Sequence, residues 1–185
     1  MKNNKALFHS LFLTAFSAAI FLPITGKGFI HDDFVHLFHA WSHSFWNGAL
    51  TPSSGAFFTP ITNMSFKMDW SLWGGTHPFP LALENLLLHL TVVLLLYALV
   101  ARIWQSHYAA FWTSFGFSLL FPSDTWAVMW IATRAHILVA VFGLLGMHSV
   151  LSLAKSQRHR SGWIFLTLLC AVGAALSKEN GVAGR

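Results

Sequence analysis

The chain has 185 residues and a net charge of +5, with 55% apolar and only 9% charged residues. Ordinary soluble domains have about 45–50% apolar and about 25% charged residues, so the composition excludes such a domain and indicates lipid as the solvent. The basic residues are dispersed among hydrophobic segments, which argues against nucleic acid as a partner, because nucleic-acid-binding proteins cluster their Lys and Arg residues.

The first predicted element is a membrane span over residues 6–25, because a bilayer core needs about 20 mostly apolar residues per helix. A cleaved signal peptide is the alternative, since the segment has a basic start and small residues in "FSAA". The apolar run continues through residues 20–22, past the plausible cleavage site. This continuation favours an anchor.

A long loop, residues 26–80, follows and opens with "GFIHDDFVHLFHAWSHSFW". At about 100° per residue, the part from Phe34 to Trp46 predicts an amphipathic helix with two contrasting faces. One face carries a carboxylate and imidazoles, from Asp32, His36, His39 and His43. The other face is aromatic, from Phe34, Phe38, Trp41 and Phe45. Because aromatic rings suit the membrane–water interface, we expect such loop helices to lie on the membrane surface.

The acidic pair Asp32 and Asp33 lies at the start of this predicted helix, where one carboxylate can cap free N–H groups. One cap suffices, so the other carboxylate is available as a general base near a hydrophobic site. Asp33 is the favoured base, because Asp32 is aligned with the histidine face and can cap or orient. Two alternatives stay open: the histidines form a solvated face, or the Asp–His stripe holds a divalent metal ion.

Four further spans are predicted over residues 81–101, 103–121, 135–154 and 161–176. The fold class is therefore an all-α transmembrane bundle of about five spans. Glu84, Asn85 and His89 lie on one side of the outer half of the second span. Polar groups at that depth are costly unless they are paired, so they either form helix–helix hydrogen bonds or belong to a site.

Charge placement predicts the orientation of the bundle. With Lys2 and Lys5 in the cytoplasm, Arg102 and the basic residues between positions 155 and 160 fall on the same side. All six acidic residues then lie at or near the outer side, in agreement with the positive-inside rule. We therefore expect an integral membrane protein with a cytoplasmic N-terminus.

Three stretches carry a resemblance to a known family. They are "FFTPITNMSFKMDWSLWGGTHPFPLALENLLLHLTVVLLLY", "FPSDTWAVMWIATRAHILVAVFGLL" and "LSKENG", in that order along the chain. Together with one span followed by a loop that opens on an acidic pair, they resemble the C-type (GT-C) membrane glycosyltransferases. The closer resemblance is to the membrane domain of O-mannosyltransferase-like proteins with tetratricopeptide repeats, and to their bacterial relatives.

The resemblance implies a glycosyltransferase that takes a sugar from a polyprenyl-phosphate donor and transfers it to an acceptor hydroxyl, on a protein or a glycan, at the outer face. Asp32 or Asp33 would act as the base. Arg134, Lys178 and Glu179 are carried over from "WIATR" and "SKEN" as groups at the lipid phosphate, and Lys27 is placed there by topology. His36, His39, Glu84, Asn85 and His89 are secondary candidates. A divalent metal ion is a possible cofactor.

The chain departs from the family pattern at several polar positions. These departures are Thr59, Asp124, Trp126 and His136. They support the alternative of an inert scaffold or truncated pseudoenzyme, and a small transporter lined by Glu84 and His89 is a third possibility. Family members have more spans, so we expect residues 1–185 to be the N-terminal part of a larger protein or a truncated gene product, in the bacterial inner membrane.

Overall fold

The computed structural model describes residues 2–53, 57–120, 130–155 and 159–178. Eight α-helices run through these residues: α1 (Lys2–Phe21), α2 (Asp33–Ser42), α3 (Phe45–Leu50), α4 (Pro60–Trp73), α5 (Pro78–Trp104), α6 (His107–Leu120), α7 (Arg134–Lys155) and α8 (Arg160–Ser177). Short 3-10 helices lie at Leu22–Ile24 and Ile131–Thr133. Within the described residues, the β-structure is one isolated bridge between Ser53 and Phe57. The prediction of an all-α helical bundle is confirmed.

Three helices in the described part of the chain are long and apolar enough to cross a bilayer. They are Pro78–Trp104, Ile131–Lys155 and Arg160–Ser177. Helix α1 has 20 residues but begins with the polar run "KNNK", and α6 has 14 described residues, fewer than the roughly 20 that a span needs. The structure thus supports three of the five predicted spans, and the count of five stays a prediction.

Helix α5 is the central element of the bundle. It begins at Pro78, whose fixed φ suits a first helical turn, and it ends at Gln105, which adopts a left-handed conformation. It packs against α1, α6 and α7. Next to it, a hydrogen bond of 2.7 Å joins the hydroxyl oxygens of Ser17 on α1 and Ser118 on α6. Such polar contacts between helices suit a bundle whose surroundings are apolar.

The expected helices in the loop between the first two predicted spans are present, and the structure shows three of them. Both α2 and α3 pack against α4, which begins at Pro60 and ends at Gly74 in the left-handed conformation that favours glycine. The Lys67 ammonium on α4 donates to the carbonyl oxygens of Ala40 and His43, both at 2.7 Å. These bonds neutralise the C-terminal end of α2 and fix it on α4.

Helix α2 differs from its prediction in length and in orientation. The helix ends at Ser42, because His43 and Ser44 adopt extended conformations before α3 begins. Its aromatic face is the exposed one, and its polar face turns inward, with His39 buried and His36 half-buried. The reading of these two histidines as a solvated face is therefore wrong. An exposed aromatic face fits a helix that lies on the membrane surface.

Helices α7 and α8 form the most extensive helix–helix contact among the described residues, and small residues permit their approach. Gly146 on α7 faces Cys170 on α8. A Cβ added at Gly173 on α8 would lie 2.7 Å from two ring atoms of Phe142 on α7. Since membrane helices associate through close packing rather than through exclusion of water, we infer that Gly173 determines how closely the pair can pack.

We expect Gly173→Ala to destabilise the protein by about 1–3 kcal/mol, because Phe142 must move to admit the methyl group. The measurement is unfolding of the purified protein in a fixed detergent. Gly162→Ala is the matched control, because no atom lies near an added Cβ at that position of the same helix. Equal loss of stability in both variants would contradict the packing role.

Candidate active site

The start of α2 is attached to the start of α7 through Asp33. This side chain is completely buried. Its Oδ2 accepts a hydrogen bond from the Ile30 amide at 2.8 Å, and its Oδ1 accepts one from the Ala132 amide at 2.6 Å. Burial raises the pKa of Asp33, and these amide bonds oppose the rise. Both oxygens of Asp33, the residue favoured as the base from the sequence, therefore bind backbone amides.

Asp32 is the carboxylate that remains accessible. It occupies the N-cap position of α2 but makes no side-chain capping hydrogen bond, so the expected capping role is not observed. Its side chain is exposed and lines a cavity of about 160 Å³. The complete lining is Asp32, His36, Ser53, Phe57, Thr59, Thr62, Ala135 and Lys178. One carboxylate, one imidazole, one amine and three hydroxyls therefore share a small cavity.

His36 forms a wall of this cavity. Its ring stacks on Phe66, with centroids 4.6 Å apart and an interplanar angle of 13°. Burial lowers the pKa of His36 to about 4, although the charge of Asp32 opposes this shift. The imidazole is therefore neutral at pH 7. Its buried Nδ1 makes no hydrogen bond with the described residues.

Lys178 supplies the cation at the cavity. It lies directly after α8, and its Nζ donates to Nε2 of His136 on α7. Burial lowers the pKa of Lys178. The end of α8 is held by a second contact, in which the Thr62 hydroxyl donates to the Ser177 carbonyl oxygen at 2.7 Å. Glu179, the other residue carried over from "SKEN", lies outside the described residues.

Arg134, predicted to contact a lipid phosphate, is instead completely buried. Its Nη1 lies 2.5 Å from Oδ2 of Asp69 and 3.2 Å from Oε2 of Glu84. Its Nε donates to Oδ1 of Asn85 at 2.8 Å, and its Nη2 donates to the Leu81 carbonyl oxygen at 3.1 Å. The guanidinium therefore joins α4, α5 and α7 by contacts with protein groups.

The ring of Phe66 covers the Arg134 guanidinium, with the central carbon 4.7 Å from the ring centroid. Burial and the neighbouring Glu84 carboxyl raise the pKa of Asp69, while Arg134 opposes the rise. A single buried cation thus holds two carboxyl groups close together. This arrangement stabilises the fold, because a buried guanidinium needs both charge and hydrogen-bond partners.

Asn85 and His89 occupy the interior of the bundle. Asn85 also donates to the Ile131 carbonyl oxygen at 3.2 Å. This bond between separate elements matches one of the two roles expected from the sequence, which was helix–helix hydrogen bonding. His89 packs edge-on against Phe21 and lies parallel to Phe117. Because Glu84 pairs with Arg134 and His89 packs among aromatic rings, these contacts give no support to a transport path.

The remaining predicted residues lie away from the cavity. Lys27 is exposed on the turn after α1. His39 is buried, and its Nε2 lies 2.8 Å from the Gly48 carbonyl oxygen, joining α2 to α3. Within the described ranges, no group of three His, Cys, Asp or Glu residues can hold a metal ion. Asp32 and His36 are the two potential metal ligands that line the cavity.

Sequence reasoning did not select several residues that the structure places at the cavity or beside it. Thr59 and His136 were noted only as departures from the family pattern, and no role at a site was predicted for them. Ser53, Thr62 and Asp69 were not singled out. Asp69 had a usable signal, since it is one of only six acidic residues and lies in a largely apolar helix. Ser53 and Thr62 had no such signal in the sequence, because Ser and Thr residues occur in many loops.

The apolar helices and the aromatic surface define a helical membrane protein. The comparisons identify its relatives. Protein O-mannosyl-transferase Tmtc2 of Drosophila melanogaster is 28% identical over 198 aligned positions, covering 95% of this chain and 20% of the fly protein. TMTC4 of Mus musculus is 27% identical over 77% of this chain, and TMTC2 of Mus musculus is 30% identical over the same share.

The resemblance found in the sequence is thereby confirmed, and the chain is a homologue of the TMTC2 and TMTC4 protein O-mannosyl-transferases. It spans about a fifth of the length of these curated relatives. No family model and no solved structure matches the chain.

We expect Arg134→Gln to destabilise the protein by about 3–5 kcal/mol, because removing one partner leaves the buried Asp69 carboxyl without its counter-charge. Arg134→Lys should recover only part of this loss, since one ammonium cannot replace the donors aimed at Asp69, Asn85 and Leu81. Unfolding in a fixed detergent measures both effects. Lys27→Gln is the control for loss of one positive charge at an exposed position. A stability of Arg134→Gln equal to that of the control would refute the structural role.

Proposed function

We propose that this segment contributes a base and a cation to the site of a membrane glycosyltransferase. In this proposal a sugar moves from a polyprenyl-phosphate donor to an acceptor hydroxyl at the outer face of the membrane. The relatives named protein O-mannosyl-transferases support sugar transfer. The observation that carries the proposal is the cavity that brings the Asp32 carboxylate and the Lys178 amine together.

Asp32 is the proposed general base. Its exposed carboxylate is the acidic group at the cavity, whereas both oxygens of Asp33 bind backbone amides. It would take the proton of the acceptor hydroxyl as the acceptor oxygen bonds to the anomeric carbon of the sugar. The hydroxyls of Ser53 and Thr59 line the same cavity and are suited to hydrogen bonds with sugar or acceptor hydroxyls.

Lys178 is the proposed cation for the leaving phosphate. As the bond between the anomeric carbon and the phosphate oxygen breaks, the lipid phosphate leaves with the electron pair, and a nearby ammonium stabilises the added charge. His136 holds the Lys178 amine in place beside the cavity. Arg134 has no part in this step, because it is buried in ion pairs. Lys27 and Glu179 remain candidates for contacts with the donor outside this cavity.

We expect Asp32→Asn to lower sugar transfer by about 10²–10⁴-fold, the usual cost of removing a general base. The assay uses the full-length protein that contains this segment, or a homologous enzyme that carries it as a graft. Stability should stay near wild type, because the Asp32 side chain is exposed and makes no capping bond.

Asp33→Asn is the matched comparison, because it changes the adjacent residue in the same way. We expect it mainly to lower stability, by about 1–3 kcal/mol, since one buried acceptor oxygen is replaced by an amide nitrogen. Full turnover in Asp32→Asn, with its expression and insertion intact, would argue for the alternative of an inert scaffold. Loss of turnover in Asp33→Asn alone, at unchanged stability, would restore Asp33 as the base.

The proposed sidedness places the cavity outside and the N-terminus in the cytoplasm. The acidic residues that the structure describes lie near the N-terminal end of α5, and Lys155 lies at the far end of α7, which agrees with the positive-inside rule. The compared relatives are eukaryotic, so they give no support to the expected bacterial inner membrane.

Labelling of intact cells tests this orientation. In a Cys170→Ala background, we expect an impermeant thiol reagent to modify a cysteine at Thr76 and to spare one at Lys155. Thr76 and Lys155 are both exposed on the protein surface, so a difference in labelling reports the side of the membrane rather than burial within the fold. Permeabilised cells provide the control in which both positions react. Modification at Lys155 in intact cells, with protection at Thr76, would invert the orientation.

A further inference from the structure

A second, larger pocket lies at the opposite end of the bundle from the candidate active site. Its volume is about 640 Å³. Its lining comes from α1, from the turn after α5 and from the start of α6: Asn4, Lys5, Phe8, His9, Gln105, Ser106, His107 and Tyr108. Helix α5 alone separates the two regions by about 40 Å, since its 27 residues rise about 1.5 Å each.

The polar groups of this pocket are suited to an anion. Lys5 contributes an ammonium, and His9 and His107 contribute imidazoles. None of the residues that line the pocket is acidic. The acidic residues in the described part of the chain, Asp32, Asp33, Asp69 and Glu84, belong to the other end of α5. The local charge is therefore positive and has no carboxylate to neutralise it.

The two imidazoles are held in place by one buried tyrosine. The Tyr97 hydroxyl lies 3.2 Å from Nδ1 of His9 and 3.0 Å from Nδ1 of His107. Each ring therefore uses its Nδ1 for structure, and its Nε2 makes no hydrogen bond with the described residues. The His9 ring also packs against Phe111, with centroids 4.9 Å apart. The Tyr97 hydroxyl has one proton, so it donates to one Nδ1 and accepts from the other. The ring whose Nδ1 accepts carries its own proton on Nε2 and is suited to donate to a phosphate oxygen.

The backbone adds to this positive field. Helices α1 and α6 both begin at this pocket, and a helix N-terminus carries the positive end of the dipole. At the start of α6 the Ala109 amide already donates to the Ser106 hydroxyl oxygen. The single helix that ends there, α5, has its last turn capped by the Gln105 side chain, which donates to the Arg102 carbonyl oxygen. Phe8 and Tyr108 line the pocket and are 65% and 71% exposed, as aromatic residues at a membrane interface are.

We propose that this pocket binds a phosphate group, in the form of an anionic phospholipid headgroup or of free phosphate. Lys5 supplies the charge, and the imidazole whose Nδ1 accepts from Tyr97 supplies an oriented Nε2–H donor. The aromatic residues at the rim would contact the glycerol and the first part of the acyl chains. The site is separate from the proposed transferase site and does not depend on sugar transfer.

Two probes distinguish the sources of phosphate. The full chain is reconstituted in nanodiscs of phosphatidylcholine with or without phosphatidylglycerol, and retained lipid is counted by native mass spectrometry. In parallel, inorganic phosphate is titrated into the phosphatidylcholine sample while the imidazole NMR signals of His9 and His107 are followed. Variants are Lys5→Gln and His107→Gln. Lys155→Gln is the matched control, because it removes one exposed positive charge outside the pocket.

We expect Lys5→Gln to weaken binding about tenfold, since a charge-assisted hydrogen bond contributes about that factor, and Lys155→Gln to leave it unchanged. Retained phosphatidylglycerol that depends on Lys5 identifies a lipid headgroup as the ligand. Phosphate-dependent imidazole shifts without a lipid preference identify free phosphate. The proposal is overturned if neither probe responds to Lys5→Gln and His107→Gln, or if Lys155→Gln weakens binding as much as they do.

Discussion

A buried guanidinium determines how the helices meet at the N-terminal end of α5 in this protein. Arg134 lies where α4, α5 and α7 meet, and its donors are satisfied by Asp69, Glu84, Asn85 and the Leu81 carbonyl oxygen. An unpaired cation at this depth would be far too costly, so the three helices must stay together. The loop helices are in turn held by α4 and by the start of α7. Several residues that line the cavity at Asp32, such as Thr62 on α4 and Ala135 on α7, lie on helices that this guanidinium joins.

The helices were largely predictable because their signals are local. Hydrophobic runs of span length located α5, α7 and α8, and the positions of Pro60, Pro78 and Gly74 match helix ends. The aromatic spacing located α2 as well, but its end at Ser42 could not be read from the sequence. That end depends on Lys67, which lies 24 residues further along the chain from His43 and caps the helix through space.

The site was less predictable because its geometry depends on distant partners. Two adjacent aspartates look alike in the sequence. The amides of Ile30 and of Ala132, the second 99 residues away, both bind Asp33 and distinguish it from Asp32. The same holds for Arg134. An arginine near a membrane surface can bind a lipid phosphate or a buried carboxylate, and the choice rests on where Asp69 lies in the folded chain. Short-range spacing predicts the kind of residue at the site, whereas tertiary packing decides its role.

The contact between Asp33 and Ala132 has a consequence for assembly during synthesis. Translation proceeds at about 5–20 residues per second, so the 99 residues between the two partners take roughly 5–20 s to be made. During this interval the Asp33 carboxylate lacks one of its backbone partners, and the helix that carries it has no fixed neighbour on that side. The loop helices between α1 and α5 therefore gain this contact with the segment before α7 only after residue 132 has been made.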